Sequence, residues 1–297
     1  MMTDLLQFDI FELSLTLMNL VVILVILTIT RIVAGFVFGT SALKELTEKD
    51  NPAFGIVVAG MLTGIGIMLT GVSSGDFGWS YLHELGLIIS HGILGIGLMW
   101  VAFKVFDHFS MPQLDSKAEI LNMNTSVAVI VAGNMIATGI IIRAVMMWSE
   151  GHSYSGILII LLAYLLSQVI LTVVSRIRVA YYERQTKGAK FADAMQAKNM
   201  ALALRFAGFR IGVALAMTTA SGIVVFNGQA LVEHISLWWG VALIMVIVFT
   251  LLTSLLQKAI FPAVDIAEEV HAQQNIAVAA LQIALYCSVG LVLIGLV

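Results

Sequence analysis

The sequence predicts an all-α fold: a polytopic membrane helix bundle of eight transmembrane helices, arranged as four helix hairpins that enter the membrane in the same sense. Three observations predict it. The 297 residues are 60% hydrophobic and 11% charged, where a soluble domain carries about 25% charged residues. Mean hydropathy is +1.01. An asparagine-led pattern recurs four times at nearly equal spacing.

Eight apolar stretches reach the roughly 20 residues that a helix needs to cross a hydrocarbon core of about 30 Å. They run near 14–38, 52–72, 81–105, 124–147, 155–179, 199–226, 236–257 and 275–297. No alternating ten-residue strand pattern appears, which excludes a transmembrane β-barrel. The first stretch follows MMTDLLQFDIFELS, which has acidic but no basic residues. A signal peptide needs a basic leader, so this stretch is expected to remain in the mature chain.

The connections are of two kinds. Those after the odd-numbered helices are long and basic, with Lys44, Lys49, Lys117, Arg184, Lys187, Lys190 and Lys198 in them and Arg31, Lys104, Arg176, Arg178 and Lys258 at the helix ends. Those after the second, fourth and sixth helices carry no Lys or Arg. Of fifteen basic residues, only Arg143, Arg205 and Arg210 fall inside helices. The excess of Lys and Arg in cytoplasmic loops then places the basic loops in the cytoplasm and both termini outside, which is the periplasm if the membrane is a bacterial inner membrane.

The even-numbered helices align at Asn51, Asn124, Asn199 and Asn275, spaced 73, 75 and 76 residues apart. Nine residues on stand Gly60, Gly133, Gly208 and Ala284; thirteen on stand Gly64, Ala137, Gly212 and Ser288. Each unit therefore carries a small-xxx-small pair, the pattern that lets membrane helices approach closely and gain van der Waals contact. An even number of crossings per unit relates the units by an axis along the membrane normal. A fourfold or two-plus-two arrangement around a central seam is the expected packing, with residues 1–148 and 149–297 as two four-helix units.

The start Glu48-Lys49-Asp50-Asn51-Pro52-Ala53, the glycine-rich helix after it and the tandem hairpins resemble the YjfL-like bacterial inner-membrane family, defined by a domain of unknown function, number 350. The resemblance spans nearly the whole chain as two four-helix copies. It departs in the second half, where Arg205 and Arg210 interrupt the third unit and Gln274-Asn275 lacks the proline. It implies fold and location, and no reaction. Members often stand beside PspA-type membrane-remodelling proteins and glutathionylspermidine-synthase-like ligases, which implies envelope stress or polyamine chemistry and a PspA-like or other cytoplasmic stress protein as partner.

Among single residues, Arg210 is the foremost candidate. It lies eleven residues past Asn199, about 16 Å deeper at 1.5 Å per residue, and an intramembrane ion is a functional candidate by default. It would hold an anion, a lipid headgroup or a substrate carboxylate; alternatively, backbone carbonyls and neutral polar groups hold it in place. Arg205 is a shallower candidate for the same ligands. Glu84 and His91, seven residues apart on one helix face, are candidates for a proton or ion path, because imidazole titrates near neutral pH. The four motif asparagines sit at helix starts, where Asn caps free amides; the alternative is a ring of amides at a pore mouth.

The single cysteine, Cys287, leaves no internal disulfide and no metal cluster. No nucleotide loop, catalytic triad or HExxH pattern is present. No cofactor, no metal and no enzymatic activity are expected, and the net charge of −3 gives no basic surface for nucleic acid. The first expectation is a non-enzymatic scaffold or stress-linked partner of cytoplasmic proteins, possible as a homo-oligomer. The alternative is a small channel or transporter along the seam between repeats, lined by Arg210 and His91.

Overall fold

In the computed structural model, residues 10–73, 80–149, 156–226 and 230–297 are described. The connections that carry no basic residue lie largely outside them. Eight helices among the described residues are long and apolar enough to cross a membrane. Chain order gives α1 (Ile10–Phe38), α2 (Pro52–Ser73), α3 (Tyr81–Val105), the short α4 (Ser116–Leu121), α5 (Thr125–Trp148), α6 (Gly156–Gln185), the short α7 (Phe191–Gln196), α8 (Met200–Thr218), the one-turn α9 (Ala220–Ile223), α10 (Leu231–Ile260), the short α11 (Ile266–His271) and α12 (Ile276–Gly295). Single π-helical segments, Lys44–Glu48 and Phe106–Ser110, precede α2 and extend α3. α6 and α10 run past their expected spans: α6 continues through Arg176, Arg178 and Arg184, because backbone hydrogen bonding does not stop where hydropathy falls.

The second helices of the hairpins form one row, α2–α5–α8–α12, and each first helix docks beside it. α3 touches α2 and α5, α6 touches α5 and α8, α10 touches α8 and α12, while α1 packs on α2 and α3. The middle of the row is the core. The most apolar window of α8 is 83% buried and that of α5 78%, against 22% for α1 and 28% for α10. The row runs across residues 148–149 without a break, since α5 packs directly on α8.

One interface is used three times. A Cβ placed on Gly60 would lie 2.5 Å from Ala132 Cα, one on Gly133 2.6 Å from Ala207 Cβ, and one on Gly208 2.8 Å from Ile283 Cγ1. In each case the ninth residue past one motif asparagine meets the eighth residue past the next. Such distances leave no room for a side chain, so the seam is built on backbone-to-backbone approach. This corrects the expected arrangement around a central seam. The contact joins two different faces of the unit, and a contact of that type closes into a ring only if its rotation divides the circle. Here it does not close within four units: Ala59 at the α2 end and Ala284 at the α12 end are both exposed.

Each row helix begins in the same way. A short helical segment ends on a residue with positive φ, namely Asp50, Met123, Lys198 or Gln274, and the motif asparagine follows. This left-handed step turns the chain so that the asparagine can cap the next helix.

Candidate functional site

The motif asparagines do two jobs at once. Asn51 Oδ1 accepts from the Phe54 amide at 3.1 Å. Asn124 Oδ1 accepts from Ser126 and Val127, Asn199 Oδ1 from Leu202, and Asn275 Oδ1 from Ala277 and Val278. The amide nitrogen then reaches into the following unit. Asn51 Nδ2 donates to the Ile120 carbonyl at 3.0 Å, Asn124 Nδ2 to Met195 at 2.9 Å, and Asn199 Nδ2 to Val270 at 3.0 Å and His271 at 3.3 Å. Each asparagine thus clips its own helix to the short helix of its neighbour. Asn275 Nδ2 donates instead to Glu269 at 2.7 Å, within its own unit. The four amides lie along an open row and form no ring at a pore mouth.

An acidic partner recurs beside them. Asn51 Nδ2 also donates to Glu45 Oε2 at 3.0 Å, and Asn124 Nδ2 to Glu119 Oε2 at 2.8 Å. Glu45, rather than Glu48 of the motif, is the carboxylate used. Burial raises its pKa, but hydrogen bonds from Lys49, Asn51 and Thr40 outweigh that and hold it below the usual carboxylate range. It is therefore charged at neutral pH, with Lys49 Nζ 2.7 Å away.

Arg210 sits at the centre of the bundle, 2% exposed. Its guanidinium donates to Ser175 Oγ and Asn134 Oδ1, and to the Leu171 carbonyl at 3.5 Å. It lies 4.9 Å from the Phe106 ring centroid. Asn134 in turn donates to the Ala102 carbonyl at 3.3 Å. The side chain braces α8 against α3, α5 and α6. Replacing a whole buried charged cluster by apolar groups is tolerated better than loss of one partner. The triple change Arg210→Met, Asn134→Leu and Ser175→Ala is therefore expected to change thermal stability in detergent little, whereas Asn134→Leu alone, which takes a partner from the buried charge, is expected to cost about 3–5 kcal/mol.

Glu84 and His91 are both buried on α3. Asn19 Nδ2 donates to Glu84 Oε1 at 2.6 Å, tying α1 to α3. His91 Nδ1 is 2.8 Å from the Leu87 carbonyl of its own helix, which therefore accepts the Nδ1 proton. The two groups stand about 10 Å apart along the axis, two turns at 1.5 Å per residue. Arg143 Nε reaches across to Thr70 Oγ1 on α2 at 2.9 Å.

The sequence offered Arg205 as a candidate for an anion or a lipid headgroup, but not the Arg178 and Tyr286 that stand with it. Arg178 Nη2 on α6 donates to Tyr286 Oη on α12 at 2.7 Å, and Arg205 on α8 also hydrogen-bonds to Tyr286. The Arg178 guanidinium stacks 4.7 Å from the Phe209 ring centroid. Both arginines line a cavity of about 790 Å³ between α6, α8 and α10. Three helices, separated by 27 and 81 residues at these positions, supply the cluster, so no local motif marks it; Arg205 within an apolar helix is its sequence signal, and a tyrosine in another apolar helix is the one that was passed over.

Among the described residues, no group of three or more His, Cys, Asp or Glu side chains could hold a metal ion. None of the curated proteins and none of the solved structures compared with this chain matches it. The family described as Domain of Unknown Function (DUF350) matches residues 5–146, 80–179 and 150–297, overlapping copies in keeping with a repeated unit. With those matches spanning nearly its whole length, the chain belongs to this family.

Proposed function

We propose that the protein is a non-enzymatic membrane scaffold whose four-hairpin row extends by joining end to end with further copies. One observation carries this reading: the contact that joins neighbouring units three times inside the chain is left open at both ends. On α12 the positions that pack in the other units, Ala277, Ala284 and Ser288, are exposed, while their counterparts Ala201, Gly208 and Gly212 on α8 are buried. On α2 the complementary face carries Ala59 and Thr63, both exposed, and a Cβ on Gly66 would meet nothing. The partner carbonyl for Asn275 would come from Thr47, which stands four residues before Asn51 as Ile120 and Met195 stand before Asn124 and Asn199. Small residues on a lipid-facing surface gain nothing from lipid, whereas helix contact rewards them. In this reading the membrane is the bacterial inner membrane, the basic loops face the cytoplasm, and PspA-like stress proteins are the class of partner that the array would gather.

Register specifies the test. With Cys287 replaced by serine, Ala59→Cys and Ala284→Cys in one chain are expected to give a ladder of disulfide-linked oligomers in membranes, and the reversed control Ala59→Cys with Leu291→Cys is not. A doubly substituted protein that stays monomeric after oxidation overturns the proposal. Transport along the seam would draw on Arg210 and His91, which are packed inside the bundle and away from the cavity. Ion or solute flux in vesicles that Arg210→Ala abolishes would reinstate it.

A further inference from the structure

The cavity between α6, α8 and α10 has two kinds of wall. Arg178 and Arg205 form one side; Val246, Ile247 and Leu251 of α10 form another. Its volume of about 790 Å³ falls in the range of small-molecule sites, roughly 300–1,000 Å³. Arg205 is only 7% exposed, and its Nε has no partner among the described residues. Arg178 stands close enough to repel it. The acceptor they share is the Tyr286 hydroxyl, a neutral group. No described carboxylate lies within ion-pair distance of either guanidinium. Asp265 lines the far mouth, and its carboxylate is engaged in capping α11 through the Ala267 and Glu268 amides.

Two adjoining guanidiniums offer the fork geometry that matches phosphate and carboxylate oxygens. Their depth matters as well. Arg205 lies six residues past the helix start at Asn199, about 9 Å along the axis, where headgroups give way to acyl chains. Lys258 at the mouth adds a third cation, and basic groups at this level attract anionic lipid.

We propose that this cavity binds an anionic amphiphile, with a phosphate or carboxylate head held by Arg178 and Arg205 and one apolar chain laid along Val246, Ile247 and Leu251. The membrane's own anionic phospholipid is the source. This site stands independently of how copies assemble.

The full-length protein, purified in a neutral maltoside detergent, is titrated with dioleoyl phosphatidylglycerol or dioleoyl phosphatidylcholine, and retention is read by native mass spectrometry. One phosphatidylglycerol per chain is expected to persist at concentrations where phosphatidylcholine leaves. Arg178, half-buried, is the position to change, because loss of Arg205 risks the fold. Arg178→Gln should weaken phosphatidylglycerol retention about tenfold, the order of one charge-assisted contact. Ser254→Trp, at an exposed position that lines the cavity, should block it sterically with the charges intact. Equal retention of the two lipids, or wild-type retention by both variants, overturns the proposal. Displacement by millimolar inorganic phosphate as effective as that by added phosphatidylglycerol also overturns it, in favour of a small-anion site.

Discussion

Replacing Gly139 by valine is expected to be the most damaging single change in the bundle. A Cβ at Gly139 would lie 2.2 Å from the Gly64 carbonyl oxygen and 2.7 Å from Gly64 Cα. The obstacle is backbone, so no rotamer change relieves it, and α2 and α5 would have to separate along the most extensive contact in the molecule. Overpacking of well-packed interiors costs about 1–3 kcal/mol, and a clash against backbone belongs at or above the upper end. Gly97→Ala is the control. It sits on the exposed side of α3, where a Cβ meets nothing within 4 Å, and removing a helical glycine gains about 0.5–1 kcal/mol. Thermal unfolding of the two variants in detergent should therefore move in opposite directions. A Gly139→Val protein with unchanged melting would mean that the helices do not approach as closely as described.

The second large effect is a difference between asparagines. Asn124→Ala removes a helix cap, worth about 1 kcal/mol. It also removes donors to Glu119 and to the Met195 carbonyl of the next unit; that carbonyl keeps the Lys198 amide, so each lost bond costs about its net worth of 0.5–1.5 kcal/mol. A total loss of about 2–4 kcal/mol is expected on those terms. Asn275→Ala removes the same cap and the equivalent bond to Glu269, but no bond to another unit, so about 1.5–2.5 kcal/mol is expected. Chemical or thermal denaturation of dispersed monomers measures the gap. Equal losses would contradict the clip between units. In assembled membranes the gap should narrow, because a second copy would give Asn275 the partner that Asn124 already has.

The same contrast marks what was legible in the chain. The asparagines could be read as caps, because capping is decided within four residues. Their second bond could not, because it depends on which unit lies alongside. Arg205 and Arg210 could be read as anomalies in an apolar helix. That Arg210 would be bracketed by Asn134 and Ser175, while Arg205 would face a cavity with Arg178, depends on where α5 and α6 stand around α8. Five residues apart, the two arginines point about 140° apart around the helix at 3.6 residues per turn, so they meet different neighbours.

By itself, the sequence determined the eight spans, their common sense of entry and the fourfold register. Hydrophobic length, caps and small-residue spacing act locally, and the bilayer forces every backbone group in a span to be satisfied within its own helix. The tertiary structure alone decided that the units form an open row, which charged groups are braced and which line a cavity, and where an unused face remains. Those features rest on contacts between helices from about 30 to more than 100 residues apart in the chain, and the choice of neighbour among similar apolar faces is settled by how closely two backbones can approach.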